Sequence, residues 1–111
     1  MKVNKAAYIA RWRIAEMETW NQEFVDMEVP GHFTFARDGL GSFQFGLVQG
    51  EIDWRIEAIG ADTRLTFSWA GSDDCDPSSG RGCARIENGE LSGRIFIHLG
   101  DESGFRAVKT G

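Results

Sequence analysis

At 111 residues, with 41% hydrophobic and 26% charged, the chain has the size of one globular domain spanning 1–111 and apolar material for a single core. A net charge of -5 without any cluster of Lys and Arg argues against a reader of phosphate backbones, so no nucleic-acid partner is expected. No apolar run is long enough to cross a bilayer as a helix, and residues 6–10, behind Lys2 and Lys5, are too short for the apolar region of a signal peptide. The expectation is therefore a cytoplasmic protein with no membrane association.

Glycines, 14 against two prolines, separate short alternating runs, which is the punctuation of a β-meander. Residues 11–17 place Trp12 and Ile14 on one face and Arg11, Arg13, Ala15 and Met17 on the other. Residues 18–29 break the alternation: Trp20, Phe24 and Met27 recur at helical spacing, predicting a short helix or ordered loop ended by Pro30-Gly31. The second run, 32–36, carries Phe33 and Phe35 inward. Asp38-Gly39 then turns the chain into a third, where Phe43, Phe45 and Leu47 alternate with Ser42, Gln44 and Gly46.

The fourth run alternates most cleanly, with Ile52, Trp54, Ile56 and Ala58 against Glu51, Asp53, Arg55 and Glu57. Leu65, Phe67 and Trp69 define a fifth run and Ala84 and Ile86 a sixth. Asn88-Gly89 leads into a seventh, where Leu91, Gly93, Ile95, Ile97 and Leu99 alternate with Ser92, Arg94, Phe96 and His98; Phe105 and Ala107 mark the eighth. Strands with one apolar face and local connections are best satisfied by closure, which removes both edges. The predicted fold is all-β: an eight-stranded antiparallel up-and-down barrel with a short helix or ordered loop between its first two strands.

Such a barrel is only just wide enough to be filled by its own side chains. Trp12, Phe33, Phe35, Phe43, Phe45, Trp54, Phe67, Trp69 and Phe105 all have inward parity. They predict a filled aromatic core, with an aromatic-lined pocket around Trp12, Trp54 and Trp69 as the alternative.

The runs WRIAEMETW (12–20), GLGSFQFG (39–46), FSWAGSDDCDPSSGRG (67–82) and GRIFIHLGDESGF (93–105) resemble a family of small bacterial hypothetical proteins to which no activity is assigned. The resemblance implies a bacterial source and a compact fold. In topology the meander also resembles the calycins, small ligand-carrying barrels, although the lipocalin opening Gly-x-Trp is absent because Ala10 precedes Arg11-Trp12.

Successive hairpins of a meander lie at alternate ends. One end is expected to carry three short turns, and the other the segment 18–31 and the connections after the third, fifth and seventh runs, three of these four being long. That end collects Glu18, Glu23, Asp26, Glu28, Glu51, Asp73, Asp74, Asp76, Asp101 and Glu102, with Arg81 as its only base, expected to pair with Asp73, Asp74 or Asp76. Long loops on a rigid scaffold are where binding concentrates, and the acids would attract a basic protein surface or a small cationic ligand; solvated acids conferring solubility are the plainer reading.

No cofactor or metal is expected. Cys75 and Cys83 lack a CxxC spacing and accompany only two histidines, and the loop at 73–80 departs from the EF-hand template. In a reducing compartment the two thiols are expected to be unlinked. His98, Asp101, Glu102 and Ser103 could in principle serve a small hydrolase, but no nucleophile elbow surrounds Ser103, and no residue is assigned a catalytic role. Outward-facing Phe96, Val108, Ala15 and Met17 predict an external apolar strip covered by the 18–29 segment or by another copy, so both monomer and homodimer stay open.

Overall fold

The computed structural model describes residues 5–111; the amino-terminal reading of residues 1–10 therefore lies partly outside the described residues. After a 3₁₀ turn at Lys5–Tyr8 come β1 (Ala10–Met17), the one-turn helix α1 (Gln22–Val25), β2 (His32–Phe35) and β3 (Leu40–Phe45). These are followed by β4 (Val48–Ile59), β5 (Asp62–Asp73), β6 (Asp76–Glu87), β7 (Glu90–Ile97) and β8 (Glu102–Lys109). Every strand pairs antiparallel with its sequence neighbours, and β8 pairs with β1 to close the sheet. The chain thus folds as the eight-stranded up-and-down barrel that the alternation predicts.

All nine inward-facing aromatic rings are buried. Phe33 sits at their centre, fully buried, with ring centroids 4.4 Å from Phe105, 5.6 Å from Phe43 and 5.9 Å from Phe67. The rings need room, and glycines on the barrel wall supply it. A Cβ at Gly82 would stand 2.3 Å from the Phe67 ring, and one at Gly50 would stand 2.7 Å from Trp69. Each buried ring contributes about 1.5–3 kcal/mol of transfer free energy.

The barrel is plugged at both ends. Tyr8 closes one mouth, where its carbonyl accepts the Trp12 indole N–H at 3.0 Å. Burial, opposed by a backbone hydrogen bond at Ile86, leaves the Tyr8 phenol above its ordinary pKa. At the other mouth α1 buries Val25, stacks Phe24 on Trp20 and brings Trp20 to 5.0 Å from Phe45. The 18–29 segment therefore covers a mouth rather than an external strip, and Met27 is left exposed.

Several expectations are corrected. A bulge at Ala15 shifts the β1–β8 register between Ile14 and Glu16, so Met17 faces Phe105 and is buried instead of pointing outward. β3 stops at Phe45 because Gly46, at φ +57°, turns the chain, and Val48 of β4 takes the inward place expected for Leu47. Ala58 is exposed because β4 runs beyond its partner β3. Leu99 lies outside β7, at φ +61° and 95% exposed.

The expected long loop after β5 is a correction of a different kind. β5 and β6 stay paired to Asp73 and Asp76, joined only by Asp74 and Cys75 at φ +50° and +75°. Two positive φ values match the twist of the flanking strands. Cys75 and Cys83 are free thiols, and eight residues of extended chain hold them about 25 Å apart, far beyond disulfide reach.

Replacing Phe33 with Ala removes the ring that touches four others. The expected cost is about 3–5 kcal/mol, read as a lowered midpoint in urea unfolding.

Candidate binding end

The end of the barrel bearing α1 also carries the β3–β4, β5–β6 and β7–β8 connections. Its geometry starts at Asp26, just past α1. Its carboxylate accepts from Arg13 Nη2 at 2.8 Å, Gln22 Nε2 at 3.0 Å and the Gly31 N–H at 2.8 Å. Burial alone would raise its pKa, but the hydrogen bonds from Gly31, Gln22 and Arg13 outweigh it and hold the carboxyl below its ordinary value. The Asn21 side chain caps α1 by accepting the Phe24 N–H at 2.9 Å. Gly46 N–H donates to the Val25 carbonyl, tying the plug to the far side of the mouth.

A second network joins β1, β7 and β8. Arg94 bridges Glu18 at 3.2 Å and Glu102 at 2.9 Å. Ser103 is fully buried beneath it, where its Oγ accepts the Thr19 N–H at 3.0 Å and donates to the Gly104 carbonyl at 2.8 Å. Its hydroxyl is thus a tie within the fold, shut away from solvent. Glu18, Asp26 and Glu102 are structural acids with basic partners.

Asp73, Asp74, Asp76 and Asp101 differ. All four are exposed, and none forms an ion pair among the described residues. The first three occupy the tip of the β5–β6 hairpin and Asp101 the turn before β8. That turn is held by Ile97 N–H to the Asp101 carbonyl and Gly100 N–H to the Ile97 carbonyl, both at 2.9 Å. It presents Leu99 to solvent with His98 exposed beside it, and among the described residues His98 is held by its backbone N–H to Ser79 O.

Arg81 does not pair with the hairpin-tip acids. Five residues of strand separate it from Asp76, about 16 Å, and the β6–β7 register places it opposite Phe96. Its guanidinium lies 4.4 Å from the Phe96 ring, covering an outward aromatic. This stacked pair divides two open grooves. One, of about 550 Å³, is bordered by Ile97, His98, Leu99 and Asp101, and the other, of about 410 Å³, by Asp53, Arg64 and Cys83.

Trp12, Trp54 and Trp69 are buried, and backbone carbonyls accept each indole N–H: Tyr8 O, the paired Ala36 O and Leu40 O, and Phe96 O respectively. The three are packed wall residues whose polar edges are already bonded. Two surface features escaped the sequence reading. Alternation along the seventh run predicts Leu99 inward although it is exposed, and a polar groove of about 480 Å³ crosses β2 to β5 with His32, Gln44, Gln49, Glu51 and Ser72 on its walls. Its only sequence signal is a set of outward polar residues beside Gly50 and Gly71.

Among the described residues no three of His, Cys, Asp and Glu are grouped to hold a metal ion, and no helix is long and apolar enough to cross a membrane. The chain matches no protein-family model, no curated protein and no solved structure.

Asp26→Ala severs three hydrogen bonds to a carboxylate at the mouth. The expected cost is about 1.5–3 kcal/mol, with increased exchange of the amides of α1 by hydrogen-exchange mass spectrometry. Burial, with Arg11 adding to it against the Pro30 carbonyl, lowers the pKa of His32. The folded state therefore favours neutral imidazole. That contribution is complete above the unfolded value of about 6.5 and is lost as pH falls through the lower folded value. Urea unfolding at stepped pH should show stability declining below about 6.5, with a flatter profile in His32→Asn.

Proposed function

We propose that the protein is a non-enzymatic binding module that uses this acidic end to engage a basic protein surface or a small cationic ligand. The observation that carries the reading is Leu99, an apolar side chain 95% exposed in a left-handed turn, on the same end as Asp73, Asp74, Asp76 and Asp101, which have no basic partners among the described residues. A non-glycine residue in that conformation costs roughly 1–3 kcal/mol. An exposed leucine there contributes to stability only when something covers it. An apolar anchor within a charged rim is the anatomy of a protein interface, and the unpaired acids set the sign of the partner.

The four sequence runs named above support a bacterial source, and thiols that cannot reach one another suit a reducing, cytoplasmic setting. The closed meander has the topology of a calycin-like carrier. For a small hydrophobic ligand to enter, however, the rings around Trp12, Trp54 and Trp69 would have to part and release bonded indoles, so the interaction reading is preferred.

The probe is an oligolysine peptide, titrated by calorimetry at low and high salt. Asp74→Lys with Asp101→Lys should weaken binding at least about tenfold, while Asp38→Lys with Glu87→Lys, an equal change of charge at the other end, should leave it unchanged. Equal loss in both pairs would reduce the effect to net charge and overturn the reading. Leu99→Gly should bind a folded basic partner less tightly while gaining about 0.5–1 kcal/mol of stability, because glycine tolerates the turn.

A further inference from the structure

Closure leaves no edge along most of the barrel, but strands that outrun their neighbours leave short unpaired stretches at its ends, and two of these, on β4 and β6, contrast sharply. β4 has 12 residues and β3 only six, and the last residue of β4 paired with β3 is Asp53. Trp54 N–H still reaches the Gly39 carbonyl at 2.9 Å. That bond fixes the parity: in an antiparallel ladder the N–H and C=O of alternate residues point to the same side. Ile56 and Ala58 therefore direct their backbone groups away from β5, past the end of β3. Neither N–H has a backbone acceptor among the described residues.

At the opposite end β6 outruns β7, whose last residue Ile97 pairs with Gly80. The His98 N–H to Ser79 O bond shows that odd-numbered residues of β6 face the vacated side. The next such residue is Pro77, which has no N–H to offer. Proline on a free edge blocks strand addition. One edge is thus closed by proline, while the other keeps two donors and two acceptors.

The open edge leads into an exposed apolar tip. Ala58, Ile59, Gly60 and Ala61 follow one another without a polar side chain, and all four are exposed. A run of this kind has no role in a solvated hairpin and marks a contact surface.

We infer that β4 is a self-association edge, and that its occupant is β4 of a second copy, added antiparallel across a two-fold axis. The edge is self-complementary. In the register that sets Ile56 against Ala58 of the second copy, all four free backbone groups are exchanged, giving four hydrogen bonds by symmetry. The side chains of Ile56 and Ala58, which share one face of β4, then lie beside their counterparts. On the outer face Arg55 of each copy stands diagonal to Glu57 of the other, within reach of a long side chain. Arg55 is well placed to answer, since its only described partner is Asp53 at 3.6 Å and its side chain is 73% exposed. Glu57 faces its own counterpart across the axis, and Arg64 of the same chain, at 3.0 Å, offsets that repulsion. This contact lies at the end of the barrel opposite the acidic one and does not depend on the binding reading proposed there.

Sedimentation velocity across micromolar to millimolar concentration tests the inference. The wild-type chain should show a reversible monomer–dimer equilibrium. Ala58→Pro removes an N–H that no described residue of the chain uses, so it should stay monomeric with an unchanged unfolding midpoint. Glu57→Arg should weaken dimerisation roughly tenfold, and Arg55→Glu combined with Glu57→Arg should restore it. A wild-type chain that stays monomeric at millimolar concentration overturns the proposal. So does an Ala58→Pro variant that dimerises as well as wild type, which would place the contact elsewhere. Failure of the double exchange to recover what Glu57→Arg loses would overturn the stated register.

Discussion

Pairing of β8 with β1 is the constraint from which the rest of this molecule follows. Without it, eight sequential strands would form a twisted ribbon with two bare edges and one wet apolar face. With it, inward residues from all around the sheet converge on one axis. The interior is then fixed in width, and the aromatic complement must match it. Glycines in the wall are part of that match, since a methyl group at Gly82 or Gly50 would strike a ring. The same closure requires each mouth to be covered, and the two segments outside the sheet meet that requirement: the 3₁₀ turn with Tyr8 and the helix with Val25.

Most of this was legible in the sequence because barrel interiors impose a period of two. β2, β4 and β5 announce themselves by ring and aliphatic side chains at alternate positions, and the nine predicted inward aromatics are all buried. Parity fails where the backbone departs from regular pleating. The bulge at Ala15 reverses the face of Met17 without any change of composition around it. Leu99 keeps the alternation of β7 but lies two residues past its last residue, Ile97, and is itself in the left-handed conformation.

The largest misreading concerned 73–80. Its Asp, Ser, Gly and Pro content is loop chemistry, yet the segment is paired strand up to Asp73 and Asp76. It lies beyond the barrel's core, so nothing there selects apolar side chains, and backbone pairing alone holds it. The candidate site was legible as an acidic end, but not as its two working parts. Sequence could not separate Glu18, Asp26 and Glu102, which serve the fold through Arg94 and Arg13, from the carboxylates left free. Nor could it foresee that Arg81 would stack on Phe96, since that contact belongs to the β6–β7 register.

The bond network at the closing seam also governs how the chain reaches this state. Seven of the ladders join neighbours in sequence and can form as local hairpins, but the eighth joins Trp12 to Lys109 and must wait for nearly the whole chain to be drawn together. Loop-closure entropy rises only logarithmically with that separation, so the delay is set less by distance than by the need for every intervening hairpin to be in register first. Until the seam shuts, β1 and β8 each keep one bare edge beside an apolar inner face. The vulnerable species in the life of this protein is therefore the open meander, and its lifetime decides how much of the chain is lost to aggregation.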